Sequence, residues 1–325
     1  MNALTFNTLR MLADGEFRSG EAMARVLGVS RASVWNALSA LDECGIEVFK
    51  VRGRGYRLAQ PLDLLDESRI KNLLGGDAPR FALEIRDRID STNTQLMERA
   101  GNGAPDGTVL AAEWQTAGRG RRGRTWHALP GAALTFSVLR RFEQGAGFLA
   151  GLSLGTGVAV MRALRAHGAD DAKLKWPNDV LWHERKLAGI LIEMQGEMLG
   201  PSAAVIGIGI NCRLPRQLLE RIDQPATDLS AASRAPVERN VVFARLLKEL
   251  TRVLDEFAVK GFSAVREEWE SYDAYRGKAV KVKLPDGGIV NGVAAGVAEN
   301  GALLVTTPGG QLRFHSGEVS LRSAH

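Results

Sequence analysis

Cysteine is nearly missing from this chain: 325 residues hold two, Cys44 and Cys212, far apart. That excludes a disulfide framework and a cysteine-built metal site, and makes a reducing cytoplasm the expected home. Cys212 follows the Gly207–Asn211 run and reads as a small, semi-buried residue rather than a reactive one. The five histidines do not cluster, so no Ser-His-Asp or Cys-His arrangement suggests itself. Long apolar runs are absent too: none is long enough for a bilayer, and no signal-peptide core follows Met1, so no membrane partner is expected. Acidic residues are missing from one stretch, between Glu113 and Glu143. The rest is ordinary for a soluble protein, 45% hydrophobic and 24% charged, with length for two or three domains. A net charge of +5 permits a polyanionic partner without demanding one.

The acid-free stretch contains Gln115-Thr116-Ala117-Gly118-Arg119-Gly120-Arg121-Arg122-Gly123-Arg124. Glycine leaves backbone N–H groups open and permits positive φ, while arginine supplies fork-shaped donors that match phosphate or carboxylate. Two readings stay open: a solvated basic hairpin tip or nucleic-acid arm, and a loop that is open when empty and closes on an anion. It is not a Walker A loop, since no Gly-Lys-Ser/Thr follows, and no strand–helix crossover makes it a dinucleotide fingerprint.

The first sixty residues read as a DNA-binding module. Leu4, Leu9 and Leu12 have helical spacing up to Asp14-Gly15; Ser19 caps a second helix, which Gly28 stops. Ser30 caps a third, and Val29 with Val34 fits a hydrophobic staple. Val34, Leu38 and Leu41 share one face of that helix, so they belong to the core. The opposite face presents Ala32, Ser33, Asn36 and Ser39, with Arg31 at the start, which suits a major groove. Trp35, near the edge of that face, is assigned to packing. Ile46–Phe49 alternates like a strand, and Lys50–Leu58 reads as a hairpin with Arg52 and Arg54 at its tip, a basic wing. Ser30, Arg31, Ala32, Ser33, Asn36, Arg52 and Arg54 are therefore the expected DNA contacts. The rival reading is a three-helix protein-contact module. Gln60-Pro61 and Leu62–Asp66 form a short boundary, hinged but not loose.

From about 67 to 272 the pattern is α+β. Strand-like runs occur at 81–89, 108–113, 132–139, 180–182, 187–194 and 203–210, with helical stretches at 93–100, 147–168 and 238–259. The segment 213–230 is polar and lacks periodicity, and no ligand contact is assigned to it. Trp114 and Trp126 flank the arginine loop and are read as hinge packing. Residues 275–325 hold five short strands with tight turns at Pro285–Gly288, Glu299–Gly301 and Pro308–Gly310, the last strand at Glu318–Leu321, which suggests an SH3-like barrel.

Three further motifs accompany the arginine loop: Asp90-Ser91-Thr92-Asn93-Thr94; Lys175-Trp176-Pro177-Asn178-Asp179 with Arg185-Lys186-Leu187-Ala188-Gly189; and Gly207-Ile208-Gly209-Ile210-Asn211. In this order and spacing they resemble the biotin–protein ligases over nearly the whole chain, and residues 1–60 match the members that are also repressors. The resemblance implies a winged helix-turn-helix at 1–60, a catalytic domain at 67–272 with a mixed sheet related to class II aminoacyl-tRNA synthetases, and a small β domain at 275–325. It implies activation of biotin with ATP and Mg²⁺ to biotinyl-5′-AMP, then transfer to a lysine of a biotin carboxyl carrier protein. Operator DNA and a homodimer in the adenylate-bound state complete the implied partners. Two rivals remain: a lipoate ligase, which shares the chemistry, and a non-catalytic factor that senses a small acid.

Joining carboxylate to ATP brings two anions together, so the site needs dense positive charge at the α-phosphate. Arg119, Arg121 and Lys186 are the expected catalytic residues. Ser91, Thr92, Asn93, Gln115, Gly118, Gly120 and Gly189 join them around biotin and the adenylate, since a ureido group asks for short polar groups and an amide. Asn178, Asp179, Asn211 and Arg322 are expected on the nucleotide or metal side, with Mg²⁺ arriving with ATP rather than in a protein-only site. Trp176-Pro177 reads as a rigid turn.

Overall fold

The computed structural model describes residues 1–196, 200–284, 286–315 and 320–323. Pro285 of the expected turn and Glu318 of the expected last strand lie outside them.

Helices α1 (Ala3–Leu12), α2 (Gly20–Leu27) and α3 (Arg31–Glu43) start where Asn2, Ser19 and Ser30 accept hydrogen bonds from the N–H groups of Thr5, Ala22 and Ser33. They bury Phe6, Leu9, Leu12, Met23, Val34, Leu38 and Leu41 around one small core. Strands β1 (Val48–Val51) and β2 (Gly55–Leu58) form a single antiparallel ribbon behind them. The expected separate strand at 46–49 is therefore corrected. Gly53 and Gly55 have positive φ and place the reversal at 52–54, so the residues just before it are the ribbon's first arm.

After α4 (Glu67–Leu74) come β3 (Ala82–Ile89), α5 (Thr92–Gly101), β4 (Thr108–Gln115), β5 (Ala133–Phe142), α6 (Leu152–Arg165), β6 (Lys173–Lys175), β7 (Asp179–Trp182), β8 (Arg185–Gly196) and β9 (Ser202–Asn211). The short helices α7 (Arg216–Leu219) and α8 (Leu229–Ala232) follow within the segment expected to be irregular, then α9 (Arg239–Lys260) and α10 (Arg266–Tyr272). Helix α6 starts later than its expected 147 because Gly151 turns the chain at φ +83, where a Cβ would lie 2.7 Å from Phe262.

The strands form one seven-stranded sheet in the order β3-β4-β5-β9-β8-β7-β6, parallel only between β3 and β4. Its two faces have different fates. Val138, Phe136 and Leu134 of β5, with Ile206, Ile208 and Ile210 of β9, join the large core containing α6 and α9. Leu139 of β5 and Ala203 and Val205 of β9 face the other way and pack under Leu96 and Ala100 of α5. Helix α5 is short and covers only part of this second face. The uncovered part is where a ligand has room.

The C-terminal strands β10 (Ala279–Lys283), β11 (Ile289–Val297), β12 (Leu303–Thr307), β13 (Gly310–Phe314) and β14 (Ser320–Ser323) make an antiparallel SH3-like sheet in the order β13-β12-β11-β10-β14. It abuts the larger domain at Trp176, whose indole donates to the Gly301 carbonyl at 3.0 Å.

Candidate active site

The floor of the uncovered region is written in the register of three strands. Gly209 of β9 lies between Thr135 of β5 and Gly189 of β8; Gly207 lies between Ser137 and Leu191; Val205 lies between Leu139 and Glu193. Paired residues point to one face of a sheet, so three glycines remove the side chains from a patch that is otherwise packed. A Cβ on Gly207 would sit 2.1 Å from Asn93 Oδ1, and one on Gly209 2.4 Å from the Trp126 ring. At Gly189 it would meet Lys186 Cε at 3.0 Å. The glycines thus make a trough and let three functional side chains approach it.

One wall is polar and buried. Ser91 caps α5, accepting from Thr94 N–H. Gln115 Oε1 accepts from the Thr92 N–H at 2.7 Å and the Thr92 hydroxyl at 3.1 Å. The Ser137 hydroxyl lies 2.6 Å from Asn93 Oδ1 and 2.8 Å from Thr92 Oγ1, and Asn93 Nδ2 donates to Glu193 at 3.0 Å. Ser91, Thr92, Asn93 and Gln115 are all buried, so their geometry is set before any ligand arrives. Thr135 Oγ1 and Trp126 Nε1, both on the trough, have no hydrogen-bond partner among the described residues. Buried polar atoms of this kind are costly unless a ligand or water answers them.

The arginine loop forms the roof. It is a folded hairpin: Trp126 N–H donates to Gly118 O at 2.9 Å and Gly120 N–H to Arg124 O at 2.7 Å. A Cβ on Gly118 would lie 2.4 Å from the Trp126 carbonyl oxygen, so this close approach requires glycine. Arg119 is half exposed, pairing with Glu193 at 2.8 Å and Thr94 at 3.1 Å. Arg121 turns inward and donates to Asn178 Oδ1 at 3.1 Å. Burial draws its pKa below the ordinary arginine value, opposed by the charge of Asp179. Trp126 is part of the site rather than hinge packing. Trp114 does pack at a hinge, against the N-terminal core, with Arg88 over its ring.

At the end of the trough, Lys186 Nζ pairs with Asp179 at 2.7 Å and stands 5.9 Å from the centre of the Trp126 ring. Asn178 also donates to the Ile190 carbonyl, which fixes its orientation toward Arg121. Asn211 spends its amide on the carbonyls of Lys186 and Thr227, so it ties down a loop. Lys186 N–H in turn donates to Pro225 O at 2.8 Å, and Thr227 N–H to Lys186 O at 3.0 Å. The segment that gave no sequence signal is therefore stitched beside the lysine at Pro225–Thr227. Arg322 lies on β14 opposite Lys281, and its neighbour Leu321 borders a second hollow lined by Arg121, Arg124, Lys175, Asn178 and Gln224.

The structure gathers Ser91, Thr92, Asn93, Gln115, Arg119, Gly120, Arg121, Asn178, Lys186 and Gly189 around one cavity. Sequence reasoning held Gly207 and Gly209 within a motif but gave them no role at the site, read Trp126 as packing, and missed Thr135, Ser137 and Glu193. Only the glycines carried a signal, since two residues apart on a strand puts both on one face. Cys212 is buried, which pushes its thiol up to about 11, so it is inert.

Far from this cavity, α3 and the wing present Arg31, Ala32, Asn36, Arg52 and Arg54 to solvent. Ser30 and Ser33 are occupied with the helix cap, their hydroxyls 2.9 Å apart. Trp35, expected to pack, is 56% exposed. The reason is its place on the helix: it falls outside the Val34–Leu38–Leu41 stripe that the core takes.

Three family models match: an HTH domain at residues 5–57, the biotin/lipoate A/B protein ligase family at 85–211, and a biotin protein ligase C-terminal domain at 276–322. The chain is 38% identical to the bifunctional ligase/repressor BirA of Escherichia coli, over 99% of this chain and 98% of that protein. It is 33% identical to BirA of Bacillus subtilis, with 95% of each covered. The Aquifex aeolicus biotin protein ligase, solved in complex with biotin and ATP, superposes with a TM-score of 0.63 at 33% identity. That match covers 74% of this chain and 98% of that one.

Proposed function

The chain belongs to the biotin protein ligase family, in its ligase-and-repressor form, and from that premise we propose how its own residues do the work. The protein activates biotin with ATP to biotinyl-5′-AMP, transfers biotin to a lysine of a biotin carboxyl carrier protein, and represses biotin genes through its N-terminal domain. The observation that carries the reading of the site is the glycine-floored trough with a buried polar wall, opening onto Arg121 and Lys186.

Biotin's rings lie on Gly207 and Gly209, with Trp126 above and the ureido group facing Thr92, Asn93, Gln115 and the unpartnered Thr135 hydroxyl. Its carboxylate points to Lys186. One carboxylate oxygen attacks the α-phosphorus of ATP; the new O–P bond forms as the bond to pyrophosphate breaks, and pyrophosphate leaves. Arg121 and Lys186 oppose the charge gathering there, while Arg119, paired with Glu193, keeps the roof fastened over the trough. Among the described residues no three His, Cys, Asp or Glu stand together as a metal site. Asp179 and Asn178 carry the hard oxygens that would hold a Mg²⁺ ion arriving with the nucleotide, and such an ion would supply neutralisation of phosphate charge. In the second step the acceptor lysine's amine attacks the acyl carbon, AMP leaves, and the amine's proton passes to solvent or to Asp179.

No helix among the described residues is long and apolar enough to cross a membrane, and the cytoplasm is the compartment that suits the two free thiols. The adenylate-bound protein forms a homodimer that sets two winged helices on the halves of an operator. Pyrophosphate release with biotin, lipoate or neither, with and without a carrier domain, tests the ligase reading; turnover with lipoate alone overturns it. Sedimentation with and without biotin and ATP tests the dimer, and an unchanged mass overturns that part.

A further inference from the structure

Helix α3 carries an aromatic ring that the core does not use. Trp35 is the one exposed tryptophan of six. Val34, Ala37, Leu38 and Leu41 take the buried face of α3. At 100° per residue, Trp35 falls on the flank between that face and the row of exposed Ala32 and Asn36 and half-buried Ser39. Arg31 is its neighbour one turn earlier, and helical side chains lean toward the N-terminus, so the indole lies over the turn of Arg31 and Ala32. That turn is the part of a recognition helix that reaches deepest into a groove. Among the described residues the indole N–H has no hydrogen-bond partner. Nearby polar groups are committed elsewhere: Ser30 and Ser33 cap the helix, and Arg54 of the wing lies over Phe17 with its guanidinium 4.2 Å from the ring centre. The helix therefore offers Arg31, Asn36 and one large apolar surface with a single donor.

We infer that Trp35 reads base sequence in the operator's major groove, by apolar contact with a thymine methyl, its N–H donating to a neighbouring base or phosphate. This rests on the repressor reading of the N-terminal domain. The chemistry follows from what the groove exposes: the C5 methyl of thymine is its one apolar feature, and a flat indole covers it with more area than alanine or threonine. Ala32 beside it keeps the helix thin enough to enter. A duplex is favoured over a protein surface because the flanking groups, Arg31, Arg52 and Arg54, are cationic and exposed.

The test begins by selecting duplexes from a random-sequence pool with the full-length protein, biotin and ATP. Trp35→Ala should then bind the selected duplex at least about tenfold more weakly while binding a scrambled duplex as before, as loss of a base contact requires. Trp35→Phe should recover part of the loss, with thymine at the contacted position less strongly preferred. In the unaltered protein the selected duplex should shield Trp35 from iodide quenching. An unshifted thermal midpoint in both variants separates these effects from unfolding. Enrichment by the unaltered protein with equal affinity of Trp35→Ala for the selected duplex overturns this inference alone. No enrichment from the pool overturns the repressor reading and this inference with it.

Discussion

Lys186 and Gly207 act at the scale of single side chains, one by its charge and one by having none. Lys186 is held between Asp179 and the Trp126 face, so its ammonium is positioned before ATP arrives. Its charge matters most as the α-phosphate gains negative charge, less when neutral rings settle in the trough. Lys186→Ala should lower the rate of pyrophosphate exchange by about 10²-fold or more, with the KM for biotin changed far less. A rate within a few-fold of the original would show that Arg121 alone carries the charge. Gly207→Ala should do the reverse. Its methyl group cannot coexist with Asn93 Oδ1 at 2.1 Å, so Asn93 must move, and the wall bonds to Ser137 and Glu193 loosen with it. Biotin affinity by calorimetry should fall at least about tenfold, the cost of leaving buried polar groups mispaired. Unchanged affinity would place the ureido group elsewhere.

Elements show how far a one-dimensional reading reaches. The central strands were legible because alternation and apolar runs are local, and the capped helices because Ser19, Ser30 and Ser91 are local signals. Register was not legible. That Thr135, Gly209 and Gly189 form one row follows from pairing across β5, β9 and β8, which no spacing within a strand reveals. The 213–230 segment was silent for a similar reason: its order comes from backbone bonds to Lys186 and the Asn211 amide, not from its own side-chain period. The arginine hairpin was half legible. Its anion chemistry could be read from composition, but its closed form depends on Glu193, over seventy positions away. That pairing yields a prediction. Arg119→Gly removes the bonds to Glu193 and Thr94 that fasten the hairpin across the trough, yet disturbs no core residue. The fold should persist while the adenylate escapes faster. Labelling of a bystander protein's lysines by the variant measures the escape; labelling confined to the carrier protein would show that the hairpin is fastened by other contacts.

Across the whole molecule, the joint between winged helix and catalytic domain is held by a buried ion pair. Glu113 leaves β4 on the core face and meets Arg239, the first residue of α9, at 3.0 Å; both are almost fully buried. Burial, the largest single influence, would lower the Arg239 pKa, but the charge and hydrogen bond of Glu113, with Cys212 and Asp63, together raise it above the ordinary arginine value. The pair's remaining bonds go to the linker and to the start of β5. Glu113 accepts from Leu65 N–H at 2.6 Å and from Gly131 N–H at 3.1 Å, while Arg239 donates to the carbonyls of Asp63 and Ala133, each at 2.7 Å. Asn240 adds bonds to Asp63, Leu64 and Asp66. One carboxylate thus holds both the linker and the far end of the segment that carries the arginine hairpin. The boundary at Pro61 is pinned rather than free, with Leu62 N–H also bonded to Ala13 O at 2.8 Å. Arg239→Leu would leave Glu113 charged and buried, and should destabilise the protein by about 3–5 kcal/mol in urea unfolding. The linker should also be released, so limited proteolysis should cut between residues 59 and 66 faster in the variant, at temperatures well below its unfolding. If biotinyl-adenylate acts on DNA affinity through this joint, the variant's affinity should respond to biotin and ATP less than the unaltered protein's does. Equal proteolysis and an equal DNA response would mean that the surface contacts between the domains, such as Arg10 with Asp87, hold the winged helix without the buried pair.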